Sequence, residues 1–146
     1  MPELPDIEVY RERLAATLGG RTLEQVEIRN AFVLRSVEPP VKELVGRRVV
    51  AVRRIGKRIV LGVEGDRFLV VHLMIAGRLR WRAGTKALGG KLVLAAFHFP
   101  HGILHLTEAG STRRASMHVV AGEAALAAFD RGGLDVREVP LAAFAE

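Results

Sequence analysis

The hydrophobic period changes once near the start of the chain and then holds. Over Asp6 to Leu18, Ile7, Tyr10, Leu14 and Leu18 recur at spacings of three and four, and Gly19-Gly20 follows as a stop. This predicts one amphipathic helix directly behind the N-terminus. From Leu23 the period falls to two. Leu23 to Arg29, Val49 to Ile55, Arg58 to Val63, Phe68 to Leu73 and Gly77 to Arg82 read as strands, with Glu64-Gly65-Asp66 as a hairpin turn. Lys91 to Phe99 and Gly102 to Thr107 form a further pair across Pro100-His101, and Arg114 to Val120 reads as another strand. Short helical stretches are expected at Val41 to Val45, closed by Gly46, and at the alanine-rich Glu123 to Phe129, before Gly132-Gly133.

Seven or so short strands with few helices predict a mainly β (α+β) fold, a two-sheet β-sandwich with flanking helices. A length of 146 residues, 49% of them hydrophobic, fits a single domain with a real core. Without cysteine there is neither a disulfide framework nor a thiolate zinc site in this stretch. No basic leader with an apolar run and no membrane-length segment is present, so a soluble, cytoplasmic protein is expected, with no membrane partner. Pro140 to Glu146 reads as a linker or the start of a helix.

Charge adds a partner class. Twenty-two Lys and Arg against sixteen Asp and Glu leave a net charge of +6, and the excess crowds between Arg47 and Arg82. A clustered excess favours a polyanion over generic solubility. Arg78, Arg80 and Arg82 alternate with Leu79 and Trp81, so a strand places the three guanidinium groups on one face. That face either tracks a phosphate backbone or is simply solvated. Arg113-Arg114, after Gly110-Ser111-Thr112, is a basic loop open to the same two readings. The histidines at 72, 98, 101, 105 and 118 lack the helical pairing or cysteine partners of a metal site, and no metal is expected.

The candidate chemistry sits at the first residues, Met1-Pro2-Glu3-Leu4-Pro5-Asp6. Removal of the initiator methionine leaves a proline secondary amine, whose pKa near ~8 makes it far more nucleophilic at neutral pH than a lysine at ~10.4. Condensation with an anomeric carbon gives an iminium that is cationic without an extra proton, the electron sink of Schiff-base catalysis. Glu3 is placed to act as general acid or base. The ordinary alternative is a proline in the first turn of a helix.

Three segments resemble the formamidopyrimidine-DNA glycosylase and endonuclease VIII family of base-excision repair enzymes. They are Pro2-Glu3-Leu4-Pro5-Asp6-Ile7-Glu8-Val9, Arg53-Arg54-Ile55-Gly56-Lys57, and His72-Leu73-Met74-Ile75-Ala76-Gly77-Arg78-Leu79-Arg80. The resemblance implies a DNA glycosylase with abasic-site lyase activity, in which Pro2 attacks C1′ of an extruded nucleotide, Glu3 assists ring opening and proton transfer, and Lys57 holds a phosphate beside the lesion. It implies DNA contacts from Arg54, Met74, Ile75, Arg78, Arg80, Arg113 and Arg114. The implied partner is damaged double-stranded DNA, bound by a monomer with no cofactor in this chain.

Departures from the family pattern fall on the residues that probe the lesion. The gap-filling methionine is replaced by Ile75, or its role passes to Met74 on the other face of the strand. Arg113-Arg114-Ala115-Ser116 lacks the usual aromatic. The family's helix-two-turn-helix and zinc-finger modules are absent from residues 1–146, so this chain resembles the catalytic N-terminal domain alone, with weak DNA binding expected. Two other functions remain open on sequence: a non-catalytic DNA- or partner-binding module of the same fold, and an N-terminal-proline tautomerase.

Overall fold

The computed structural model describes residues 4–36, 38–74, 76–109 and 114–130. Helix α1 (Leu4–Leu18) is followed by β1 (Gln25–Ile28), β2 (Val49–Ile55), β3 (Arg58–Val63), β4 (Arg67–His72), β5 (Gly77–Ala83), β6 (Val93–Phe99), β7 (Gly102–Glu108), β8 (Ser116–Ala121) and α2 (Glu123–Asp130). Two antiparallel four-stranded sheets result, with orders β1-β6-β7-β5 and β2-β3-β4-β8. The expected two-sheet sandwich with flanking helices is therefore the observed fold.

The main core lies between the sheets. It joins Ile7, Leu14 and Leu18 of α1 to Ile59, Leu61, Leu69 and Val71 of the second sheet and to Phe97, Leu104 and Leu106 of the first. A smaller cluster of Val60, Phe68, Val70, Val120 and Leu126 lies on the opposite face of the second sheet, under α2. This explains the sequence of β3, which is buried at every position because one face meets the sandwich core and the other meets α2. β5 keeps the strict alternation of a strand with one solvated face.

Some boundaries moved for physical reasons. α1 begins at Leu4 rather than Asp6, since a proline is tolerated in a first helical turn, where its missing N–H has no intrahelical acceptor. The segment expected as one strand over 23–29 serves both sheets. Thr22 bridges Arg48 and the Leu23 N–H donates to the Arg47 carbonyl, while Gln25–Ile28 pairs with β6. Residues 41–44 form a 3-10 turn with Leu44 buried. Strand β8 starts at Ser116, because the N–H groups of Arg114 and Ala115 are bound by a side chain.

Candidate active site at one end of the sandwich

Helix α1 and strand β2 run in opposite directions, as their side-chain contacts show. The Glu8 carboxylate accepts from Arg54 Nε (3.3 Å) and from Arg11 Nε (2.8 Å), and Arg11 Nη1 reaches the Val52 carbonyl (3.5 Å). Arg11 above all, with Arg54 beside it, holds the Glu8 carboxyl below the usual glutamate range. Moving toward the start of α1 means moving toward the end of β2, so the first helical turn is directed at the β2–β3 turn. Pro2 and Glu3, which precede that turn, lie outside the described residues.

The β2–β3 connection is the two-residue turn Gly56-Lys57, closed by the pair Ile55 and Arg58. Gly56 has φ +61°, a positive value that a two-residue hairpin requires and that glycine adopts without steric cost. The half-buried Lys57 is thereby fixed at the tip. Next to it, Arg58 pairs across the sheet with His72, and His72 with Ser116. On sequence His72 figured as one of five histidines and as the first residue of the third resembling segment, with no role of its own. Its usable signal is its place at the exit of β4, immediately before the Leu73–Gly77 segment.

That segment crosses from one sheet to the other. Met74 has φ +59°, and the Gly77 N–H donates to the Leu73 carbonyl (2.9 Å). A Cβ at Gly77 would collide with the same carbonyl, so this tight crossing demands glycine. Met74 consequently lies on a turn, not on a strand with a second face as expected from sequence. Ile75 lies outside the described residues.

Gly77 is paired in register with Glu108 at the end of β7. Glu108 is buried, and its carboxylate accepts from the backbone N–H of Arg114 (2.9 and 3.0 Å) and of Ala115 (3.1 Å). These bonds tie the return of the 109–115 loop to the strand end from which the 73–77 turn also springs. Sequence reading missed Glu108. An acidic residue closing an otherwise apolar strand was the available sign. Arg114 is exposed, and Arg113 lies outside the described residues.

The arginine face is present as expected. Arg78, Arg80 and Arg82 are exposed on edge strand β5, while Leu79 and Trp81 turn toward the core. The stripe starts beside the Met74 turn and runs away along the sheet. On the same face of the sheet, buried His105 sits opposite Arg80 and accepts from the Leu88 N–H (3.0 Å). Burial holds the His105 imidazole below its ordinary pKa, favouring the neutral form. Arg54 is bound by Glu8 and by the Gly56 carbonyl (3.0 Å), so it braces the helix and the Lys57 turn. Among the described residues, no group of three or more histidine or acidic side chains gathers around a possible metal.

The molecule is thus a two-sheet sandwich that assembles helix α1, Lys57, His72, Met74 and Arg114 at one end. Its family follows from comparison. Residues 1–119 match the model of the formamidopyrimidine-DNA glycosylase N-terminal domain, and the chain belongs to that family. The formamidopyrimidine-DNA glycosylase of Heliobacterium modesticaldum is 40% identical over 81 residues, 54% of this chain and 29% of that protein. That of Dechloromonas aromatica is 41% identical over 87 residues, 56% of this chain and 31% of its own length. The chain therefore matches about a third of these curated relatives. Among solved structures, the Lactococcus lactis enzyme bound to DNA containing an abasic site superposes with a TM-score of 0.78 at 22% identity, over 88% of this chain and 48% of that one. A MutM complex with DNA containing carbocyclic 8-oxo-G gives 0.78 at 24% identity, over 88% and 47%. These likenesses establish the fold.

Proposed function

We propose that the chain is the catalytic part of a base-excision repair DNA glycosylase with abasic-site lyase activity, acting on oxidised bases in double-stranded DNA. The observation that carries this reading is convergence. The start of α1, the Lys57 turn, the Met74 turn and the anchored return to Arg114 come from distant parts of the sequence and meet at one end of the sandwich.

In the proposed reaction the Pro2 amine attacks C1′ of a nucleotide turned out of the duplex, a step required because a stacked base shields that carbon. The N–C1′ bond forms as the bond from C1′ to the base breaks, and the base leaves with a proton. Ring opening, assisted by Glu3, gives the iminium. Loss of a C2′ proton then expels the 3′ phosphate by β-elimination. No cofactor is needed, since the iminium is the electron sink.

Lys57 holds the phosphate next to the lesion, and Arg114 with Arg78 and Arg80 contacts the backbone, contacts that set position rather than sequence choice. Ile75, or Met74 in its place, fills the space left by the extruded nucleotide, and Arg113 enters opposite it. Arg54 acts chiefly by bracing, with its exposed side adding positive potential. The chain acts as a monomer and by itself binds DNA weakly, because affinity follows the number of phosphates neutralised.

Borohydride trapping on abasic-site DNA tests the reading. A covalent adduct is expected from protein lacking Met1 and none from protein that keeps Met1, while Pro2→Gly, which retains a primary α-amine at the same place, should trap less and should excise no base. DNA binding with no adduct at high protein concentration would instead identify a non-catalytic module.

A further inference from the structure

We propose that Phe32 is a base-stacking residue at the rim of this site, packing its ring against the face of an unstacked nucleobase. The proposal rests on DNA being the partner but not on the covalent chemistry.

Among the described residues, Phe32 is 81% exposed, more than any other large apolar side chain, and it is the only aromatic among the exposed ones. Single exposed apolar residues are common on protein surfaces and need no explanation by themselves. Phe32 differs in how it is held and where.

Its 3-10 turn, Ala31–Val33, is clamped on both sides. The Phe32 N–H donates to Asn30 Oδ1 (2.9 Å), and the Asn30 N–H donates to the Leu94 carbonyl (3.1 Å). Arg35 Nε donates to the Phe32 carbonyl (2.6 Å), and the Arg35 N–H to the Met117 carbonyl (2.8 Å). Val33 is buried, which turns the neighbouring phenyl outward. The ring is therefore presented on a fixed backbone, so little ordering entropy opposes a contact.

Its location follows from register. Leu34 bridges Met117 in parallel, and Ser36 Oγ accepts from the Val119 N–H. Because that pairing is parallel and Ser116 pairs with His72, the turn that precedes Leu34 lies toward the start of β8, at the end of the sheet that carries Lys57 and His72. Exposed Arg29 and Arg35 flank the turn in sequence. An aromatic ring among guanidinium groups fits single-stranded or locally opened nucleic acid. The cations meet phosphates, and any base offers a π-face of suitable size. In an intact duplex each base face is already occupied by its neighbours. The contact is therefore available only where a base has lost its stacking partner, beside an extruded or abasic position.

The test compares binding of the protein to two duplexes of one sequence, one continuous and one with a stable abasic-site analogue. Phe32→Ala is expected to weaken binding to the abasic duplex on the order of tenfold, within the range for losing one base–aromatic stack. Affinity for the continuous duplex, and the salt dependence on both, should stay within twofold. Phe32→Trp should keep the preference, and emission from the added indole should be quenched by the abasic duplex only. Equal loss on both duplexes, no loss on either, or unchanged emission at saturating abasic DNA overturns the proposal, as does failure of the wild-type protein to bind either DNA. If binding depends on Phe32 but borohydride traps nothing, the stacking role stands and the catalytic reading fails.

Discussion

The two ends of the sandwich use arginine in opposite ways. At the end away from the site, backbone bonds stitch the corner shut: Gly20 N–H to the Val49 carbonyl (2.8 Å), Val49 N–H to Arg21 (2.9 Å) and Gly46 N–H to Leu23 (2.7 Å). Arg47 donates to the carbonyls of Glu43 and Glu64, Arg48 pairs with Glu64 (3.1 Å), and Arg67 pairs with Glu43 (2.9 Å). At the site end, Arg78, Arg80 and Arg114 are exposed, and Glu108, the buried acid there, binds backbone rather than a cation. A run of arginines that looks uniform in sequence thus divides into those that close the frame and those that face outward.

Breaking the site end should cost most. Lys57→Met is expected to lower the yield of borohydride-trapped adduct by about 100-fold, since in the proposed reaction its charge lies beside the sugar and stabilises the transition state in a way water cannot replace. The melting temperature should barely move, which separates this effect from unfolding.

Gly77→Ala should follow, with a loss of about 2 to 4 kcal/mol in denaturant unfolding, because the added Cβ meets backbone that can move only by opening the crossing between sheets. A neutral outcome would mean that the 73–77 turn is looser than its hydrogen bonds imply. Glu108→Ala removes the acceptor for two N–H groups and is expected to cost about 1 to 3 kcal/mol. Amide exchange should quicken at Arg114 and Ala115 while the β3 amides stay protected. Equal loosening throughout the sheets would refute an anchoring role.

Acidification acts on the interior between the ends. His105 and His118 are both held below their ordinary pKa by burial, so the folded protein favours their neutral forms. As pH falls below about 6.5, the unfolded chain takes up protons that the folded chain resists, and stability declines. Glu64, held down by the Arg48 backbone N–H and side chain, keeps its contribution until pH falls below about 4.5. A melting temperature that falls between pH 7.5 and 5.5 is therefore expected, and a flat profile there would count against the buried neutral imidazoles. Least of all, Arg48→Ala should cost under about 1 kcal/mol, as exposed ion pairs do, and leave DNA binding unchanged. A marked loss of DNA affinity on that substitution would erase the distinction between the ends.

Much of the frame was legible from pattern. The alternation Gly77-Arg78-Leu79-Arg80-Trp81-Arg82 specified both a strand and its exposed face, because one side of β5 meets solvent. The turn at Gly56-Lys57 was legible from a glycine between two runs of period two. Met74 was misplaced because its positive φ comes from the sheet crossing, which leaves no periodic trace. Glu108 and Phe32 were missed for a related reason. A buried acid and an exposed aromatic each contradict their residue type, and only a neighbour distant in sequence explains why.

The sequence by itself determined the strands, the leading helix, the outward arginine face and the opening residues whose chemistry suits a Schiff base. Those features are local, fixed by period, turn residues and side-chain type. The tertiary structure alone decided which arginines are bound by Glu8, Glu43, Glu64 and Glu123, and which turns meet at Lys57. It also decided that Glu108 faces inward and Phe32 outward. Such assignments depend on pairing across 46 or 70 residues of chain, as between Glu8 and Arg54 or Arg53 and Glu123, and only the packing of the two sheets fixes that pairing.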